Sequence, residues 1–414
     1  MIELYRSENL VVRSIAGSSS DRWVVTFDNF GIGHGFDRPG FGESFFQSRD
    51  VSAIHVMGKS EDWYQYADIK QALATVRTAV ADASKVMTYG SSMGGYAAIR
   101  FADAAGAHAV LALSPQYTID PAKPPFDDRW SQHGHAINWC PEIDGPVRCS
   151  VRPVIVFDPK TADGQHARSY ADDIDIVEMA LPHTAHPVTT FLSEVGVLES
   201  LIFGVLDGTA DIEGIRSKAW ARRRTSIAYL NELTRVQPPH RERSALRLAR
   251  LACAENPGNA AALEALAERL SLSGQHAEAL STYEQALACG ERLPTLLANY
   301  VNALVAAGEV SKGRDIAREV MEALPHMAYL WGWYANLCWT DGSPSEARRA
   351  IAKAMALDPS NPAFVEQRRL YHTPLEPPSD PTPWLTKGRR WARHRYLSLA
   401  ERRAGKRLEK PIRS

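Results

Sequence analysis

The sequence predicts an α/β domain, a mostly parallel β-sheet with helices on both faces, followed by an all-α domain of helical repeats. Three observations carry this. In the first half, short apolar runs rich in β-branched residues alternate with helix-periodic segments, the pattern of βαβ units. A serine flanked by small residues, Gly90-Ser91-Ser92-Met93-Gly94-Gly95, stands between one such run and a helix-like run, Tyr96 to Phe101. In the second half, Gly274, Gly308 and Gly342 recur 34 residues apart, in a segment with no strand signal.

Taken in order, Leu10-Val11-Val12, Trp23 to Phe27 and Val51 to Met57 read as strands, and a helix follows from about Asp68 to Ala83. The run Lys85 to Tyr89 is the strand that delivers Ser92, and His108 to Leu113 is the next strand. Pro153 to Phe157 and Ile174 to Met179 complete the sheet, and a helix runs from about Val188 to Phe203. Residues 115–150 are rich in Pro, Asp and aromatics without periodicity. The segment is too long for a simple connection and predicts a cap over the site. The first domain is placed at 1–207.

The chain has 414 residues, of which 45% are hydrophobic, enough for two or three domains with substantial cores. A net charge of −1 gives the whole protein no pull toward nucleic acid or a membrane surface. Five scattered cysteines without C-x-x-C spacing read as reduced thiols, which points to the cytoplasm. The N-terminus lacks the basic and apolar segments of a signal peptide, and no apolar stretch is long enough to span a bilayer.

In the second half the glycine spacing is joined by further columns in the same phase: Ala279, Gly313 and Ala347; Ala286, Val320 and Ala354; Leu263, Leu297 and Trp331. Pro257, Pro325 and Pro359 stand at matching ends. Small residues let paired helices approach, and the glycine ends the first helix of each pair. The segment 208–372 thereby resembles the tetratricopeptide repeat, which implies helix pairs that bind a protein partner. A degenerate unit is expected over about 219–256, with Pro238-Pro239-His240 near its turn. Residues 373–414 read as a Pro-rich linker and a basic, solvated tail.

The chemistry is read outward from Ser92. A strand–turn–helix context with small residues on both sides is what a G-x-S-x-G nucleophile elbow requires. A serine hydroxyl needs a base within hydrogen-bond reach, and the base needs an orienting carboxylate. Asp158 directly follows the Val154 to Phe157 run and is the expected acid, with Asp120 as the alternative. Two histidines, His183 and His186, follow the last strand. His186, just before Pro187 and a helix, is the expected base and His183 the alternative. The oxyanion donors are expected from Met93 N–H and from Asn29 or Phe30 in the loop after the strand ending at Phe27.

On Gly90-Ser91-Ser92-Met93-Gly94-Gly95, Asp158 and His186 in that order, residues 1–207 resemble the α/β-hydrolase fold family. The resemblance implies a serine hydrolase or acyltransferase that works through an acyl-enzyme on an ester, thioester or amide, without a cofactor. Asp28-Asn29-Phe30-Gly31 stands where a histidine–glycine pair is often found. Trp63, Tyr64 and Gln65, beyond the strand ending at Met57, are expected to line a pocket suited to a sugar or another small acyl substrate. His133 and His135, with Asp127, Asp128 and Trp130, lie in the expected cap; no third ligand is fixed, and no metal is expected. The alternative reading is an inactive platform in a repeat-bearing scaffold protein.

Overall fold

The structure is a computed structural model that describes residues 1–124, 127–290, 293–359 and 361–372. The linker and basic tail expected over 373–414 lie outside the described residues. The chain divides into two compact units, Met1–Leu233 and a second from Thr234 onward.

The first unit is built on eight strands: β1 (Ile2–Arg6), β2 (Leu10–Ile15), β3 (Arg22–Phe27), β4 (Ser52–Gly58), β5 (Lys85–Ser91), β6 (Ala109–Leu113), β7 (Val154–Phe157) and β8 (Val177–Ala180). They form one sheet in the order β1-β2-β4-β3-β5-β6-β7-β8. β2 runs antiparallel to both its neighbours. All other pairings are parallel. Every residue of β4 is buried, as a strand covered on both faces must be. The helix Ile69–Ala79 meets the sheet with Ile69, Ala72, Leu73 and Val76, one face at helical spacing.

Seven strands match predicted apolar runs. β1 does not, because it is an edge strand that pairs only with β2 and buries little, so its composition carries no apolar run. The last strand is shorter than predicted, since Ile174 caps the helix Asp163–Asp173. The helix expected from Val188 to Phe203 is two helices, Thr189–Glu194 and Leu198–Asp207, broken at Gly196 with φ 69°.

The first unit also extends past the expected boundary at 207. Tyr229 packs on Phe191 with ring centroids 6.3 Å apart, and Ser226 Oγ donates to Glu194. The Ala- and Arg-rich composition of 208–233 reads like the repeats, but its apolar residues turn toward the sheet unit.

In the second unit, helix pairs recur at the predicted period: Ala260–Leu272 with His276–Cys289, Pro294–Ala306 with Val310–Ala323, and Ala328–Thr340 with Pro344–Leu357. Glu242–Glu255 precedes them and Pro362–His372 follows. Gly274, Gly308 and Gly342 end the first helix of each pair at φ 76°, 86° and 72°, the left-handed region that glycine enters without steric cost. Ala279, Ala347, Ala286 and Ala354 are fully buried at the helix contacts. This unit is a helical repeat. Among the described residues, no helix is long and apolar enough to cross a membrane.

Candidate active site

Ser92 sits at the end of β5 with φ 56° and ψ −120°, backbone angles that only a tightly constrained turn sustains. Two glycines make that turn. A Cβ at Gly90 would lie 2.2 Å from Gly94 O, and a Cβ at Gly94 would lie 2.4 Å from Phe27 O, the last residue of β3. Close approach of backbone to backbone therefore lifts Ser92 to the carboxyl end of the parallel strands, where sheets of this kind carry their sites. The Ser92 N–H is held by Leu113 O at 2.8 Å.

His186 lies in the loop after β8. Its Nε2 is 2.9 Å from Ser92 Oγ, and its Nδ1 is 2.9 Å from Asp163 Oδ2 and 3.0 Å from Asp163 Oδ1. With Nδ1–H donated to the carboxylate, Nε2 is left as the acceptor for the serine proton. The carboxylate at the histidine is therefore Asp163 and not Asp158. The turn at 158–161 carries the chain from β7 to the Asp163–Asp173 helix, and the first residue of that helix reaches His186.

Asp158 is fully buried and accepts from Lys160 N–H at 2.8 Å and Ala185 N–H at 2.9 Å. It fastens the loop that carries His186. Asp120 is likewise not at His186; its Oδ1 accepts from Ala122 N–H at 3.0 Å, and it faces Lys123 at 3.7 Å. His183, at φ 63°, has a buried Nδ1 without a partner among the described residues, while the contact to Ser92 belongs to His186.

The expected cap contributes a residue that composition did not single out. Asp127 caps the short turn Asp128–Trp130, and Arg129 Nη2 reaches Asp163 Oδ1 at 2.7 Å and Asp127 Oδ2 at 2.7 Å. His166 Nε2–H donates to Asp127 Oδ2 at 3.1 Å, since its Nδ1 accepts the Tyr117 N–H. Burial pushes the Asp163 carboxyl up, but the charges and hydrogen bonds of His186 and Arg129 outweigh it and hold the group well below the usual carboxylate range. Asp127 is held low in the same way, against its burial, by His166 and Arg129.

Gln116, three residues past β6, was also missed. Its Nε2 lies 2.8 Å from Ser92 Oγ and 3.5 Å from His186 Nε2. The available signal was its position, a polar residue just beyond the strand next to β5, which leads into Ser92.

Among the expected oxyanion donors, Met93 opens the helix Met93–Arg100, and the close packing of Gly94 on Phe27 and Asp28 brings the loop of Asn29 and Phe30 beside it. Among the described residues, the backbone N–H groups of Met93, Asn29 and Phe30 have no hydrogen-bond partner. Of the expected pocket residues, Trp63 joins an aromatic cluster with Phe30 and Trp130, and Trp130 lies 5.9 Å from the His186 ring. Phe30 and Trp130 are 4.7 Å apart, and His133 stacks edge-on against Phe30.

Tyr64 and Gln65 are tied into the scaffold instead. Tyr64 OH donates to Val56 O and accepts Asp28 N–H. Gln65 bridges Tyr96 OH and Cys140 N–H. His135 Nδ1 meets Ser131 O, and among the described residues no group of three or more His, Cys, Asp or Glu could hold a metal ion.

No protein-family model matches the chain, and no curated protein matches it in sequence. Solved structures to which it is similar include YrrB, a TPR protein with an unusual peptide-binding site, at 16% identity over 43% of this chain and 95% of that one, with a TM-score of 0.33. A thermophilic TPR protein of Thermus thermophilus, TTC0263, is 21% identical over 42% of this chain and 95% of that one, with a TM-score of 0.31. The capsule O-acetyltransferase of Neisseria meningitidis serogroup A is 9% identical over 44% of this chain and 85% of that one, with a TM-score of 0.32. Similarity of this order assigns neither family nor activity.

Proposed function

We propose that the first unit is a serine hydrolase or acyltransferase of the α/β-hydrolase type, and that the helical repeats, of tetratricopeptide type, hold a partner protein or the carrier of the substrate. The observation that carries the reading is the continuous contact from Ser92 Oγ to His186 Nε2 and from His186 Nδ1 to Asp163, at 2.9 Å on each side. The sheet order, with its one antiparallel strand near an edge, supports the same reading.

In the mechanism, His186 Nε2 takes the Ser92 proton as Oγ forms a bond to the substrate carbonyl carbon. Asp163 steadies the imidazolium through Nδ1–H. The Met93 N–H and a loop N–H from Asn29 or Phe30 stabilise the oxyanion. The leaving group departs with the proton from His186, giving an acyl-enzyme. Water or an acceptor hydroxyl, deprotonated by His186, then releases the acyl group. Trp63 is fully buried in the aromatic cluster, so Phe30 and Trp130, the latter 5.9 Å from the His186 ring, are the rings left to meet a sugar or a short acyl chain.

Stoichiometric labelling of Ser92 by a fluorophosphonate, abolished in Ser92→Ala, is the expected result. Folded protein that takes no label overturns the enzyme reading. A second reading, a platform without activity, is favoured by one observation: Ser92 is only 4% exposed. The same experiment separates the two.

A further inference from the structure

We infer that Gln116 is a catalytic residue of this site: its side-chain amide orients the Ser92 hydroxyl for attack and then donates to the oxyanion. The inference rests on the proposed role of Ser92 as nucleophile.

Ser92 Oγ has one proton, and His186 Nε2 is the acceptor that receives it, because His186 Nδ1–H is already given to Asp163. The Gln116 atom 2.8 Å from Oγ must therefore be a donor, which is the amide nitrogen. That N–H occupies one lone pair of Oγ and excludes any hydroxyl rotamer pointing toward Gln116. The proton is left directed at His186, and the remaining lone pair is free to attack.

In the tetrahedral intermediate the oxyanion is bonded to the carbon that carries Oγ, one bond angle away from it. A donor within hydrogen-bond reach of Oγ is thus placed to reach the oxyanion as well, and the amide carries two N–H groups.

Two further features fit a functional role better than a packing one. The Gln116 side chain is wholly buried, yet its polar contacts are with Ser92 and His186 alone, and its Oε1 has no partner among the described residues. A glutamine retained only for packing would pair both ends of its amide. The backbone holds it rigidly: Gln116 O accepts the Tyr170 hydroxyl at 2.8 Å, and the next N–H is bound by His166 Nδ1 at 3.1 Å.

The test is the labelling of full-length protein by a fluorophosphonate, resolved into a limiting rate and a half-saturating concentration. In that reaction Oγ bonds to phosphorus, fluoride leaves, the serine proton passes to His186, and the phosphoryl oxygen takes the place of the oxyanion. Gln116→Ala and Gln116→Met, the latter keeping the volume, are each expected to lower the limiting rate about 100-fold. The half-saturating concentration should be unchanged. Gln116→Glu, which presents an acceptor to a developing negative charge, should be slower still. Melting temperatures establish that each variant is folded, and Gln116→Met serves if the smaller residue leaves a cavity that unfolds the protein.

Variants that label at the wild-type rate, or that change only the half-saturating concentration, overturn the role of Gln116 while leaving Ser92 as nucleophile. A wild-type protein that does not label overturns the nucleophile itself.

Discussion

Arg129 Nη2 lies 2.7 Å from Asp163 Oδ1, on the same carboxylate whose Oδ2 is 2.9 Å from His186 Nδ1. A residue from the segment between β6 and β7 thus holds the carboxylate that meets His186. Burial raises the carboxyl of Asp163, and His186 and Arg129 together more than reverse it. Because the folded-state value is depressed, the stabilisation is fully present above the ordinary carboxylate value, ~3.9, and is lost as pH falls through the folded value. Removing the guanidinium in Arg129→Met raises the folded-state value toward that of the unfolded chain. Acid unfolding should therefore begin at a higher pH than in the wild type, as read by circular dichroism across a pH series.

Asp163 and Asp158 are expected to fail in different ways. Asp163→Asn keeps the shape but gives His186 Nδ1 a partner that can demand the wrong tautomer, so Ser92 labelling should slow by about 10⁴-fold, and because the charge facing Arg129 is also lost the melting temperature should fall. Asp158→Ala removes the buried acceptor that holds the N–H groups of Lys160 and Ala185. It should lower unfolding stability by about 1–3 kcal/mol in urea titrations, with a smaller loss of labelling. The reverse pattern would restore Asp158 as the orienting acid.

The two histidines of the same loop should separate cleanly. His186→Ala is expected to abolish labelling. His183→Asn, which keeps a residue tolerant of the positive φ at that position, should label at close to the wild-type rate. Parallel rate measurements on the two variants check this.

Glycine-to-alanine changes should have opposite signs in the two units. Gly94→Ala puts a Cβ 2.4 Å from Phe27 O, a backbone atom that cannot move aside, and should cost about 1–3 kcal/mol and disturb the elbow. Gly313→Ala puts a Cβ inside the helix Val310–Ala323 with its nearest neighbours at 3.5 Å, ordinary contact. It should stabilise the repeat unit by about 0.5–1 kcal/mol, seen as a higher melting temperature.

The glycine pattern and the apolar periodicity were the legible parts of this chain. Gly90 and Gly94 are needed where backbones touch, and Gly274, Gly308 and Gly342 where a helix must end at positive φ; both demands are local and fall on one residue type. The placement of Ser92 at the end of β5 and of His186 in the loop after β8 followed from strand order, which the alternation of apolar runs already implied. The edge strand β1 left no comparable mark, because an exposed edge needs no apolar run. The extent of the first unit was hidden for a related reason: helices at 212–233 share the composition of the repeats, and only their packing on Phe191 and Glu194 assigns them to the sheet.

By itself the sequence determined two architectures, a covered, mostly parallel sheet and a 34-residue helical repeat, together with the tight turn that carries Ser92. These depend on short-range periodicity and on backbone angles that particular residues permit. The tertiary structure alone decided which carboxylate meets His186, and that Arg129 and Gln116 join the site. His186 follows β8, Asp163 follows β7, and Gln116 and Arg129 lie between β6 and β7, and a hydrogen bond across such loops is set by how the chain folds back, a distance that spacing along the sequence does not encode.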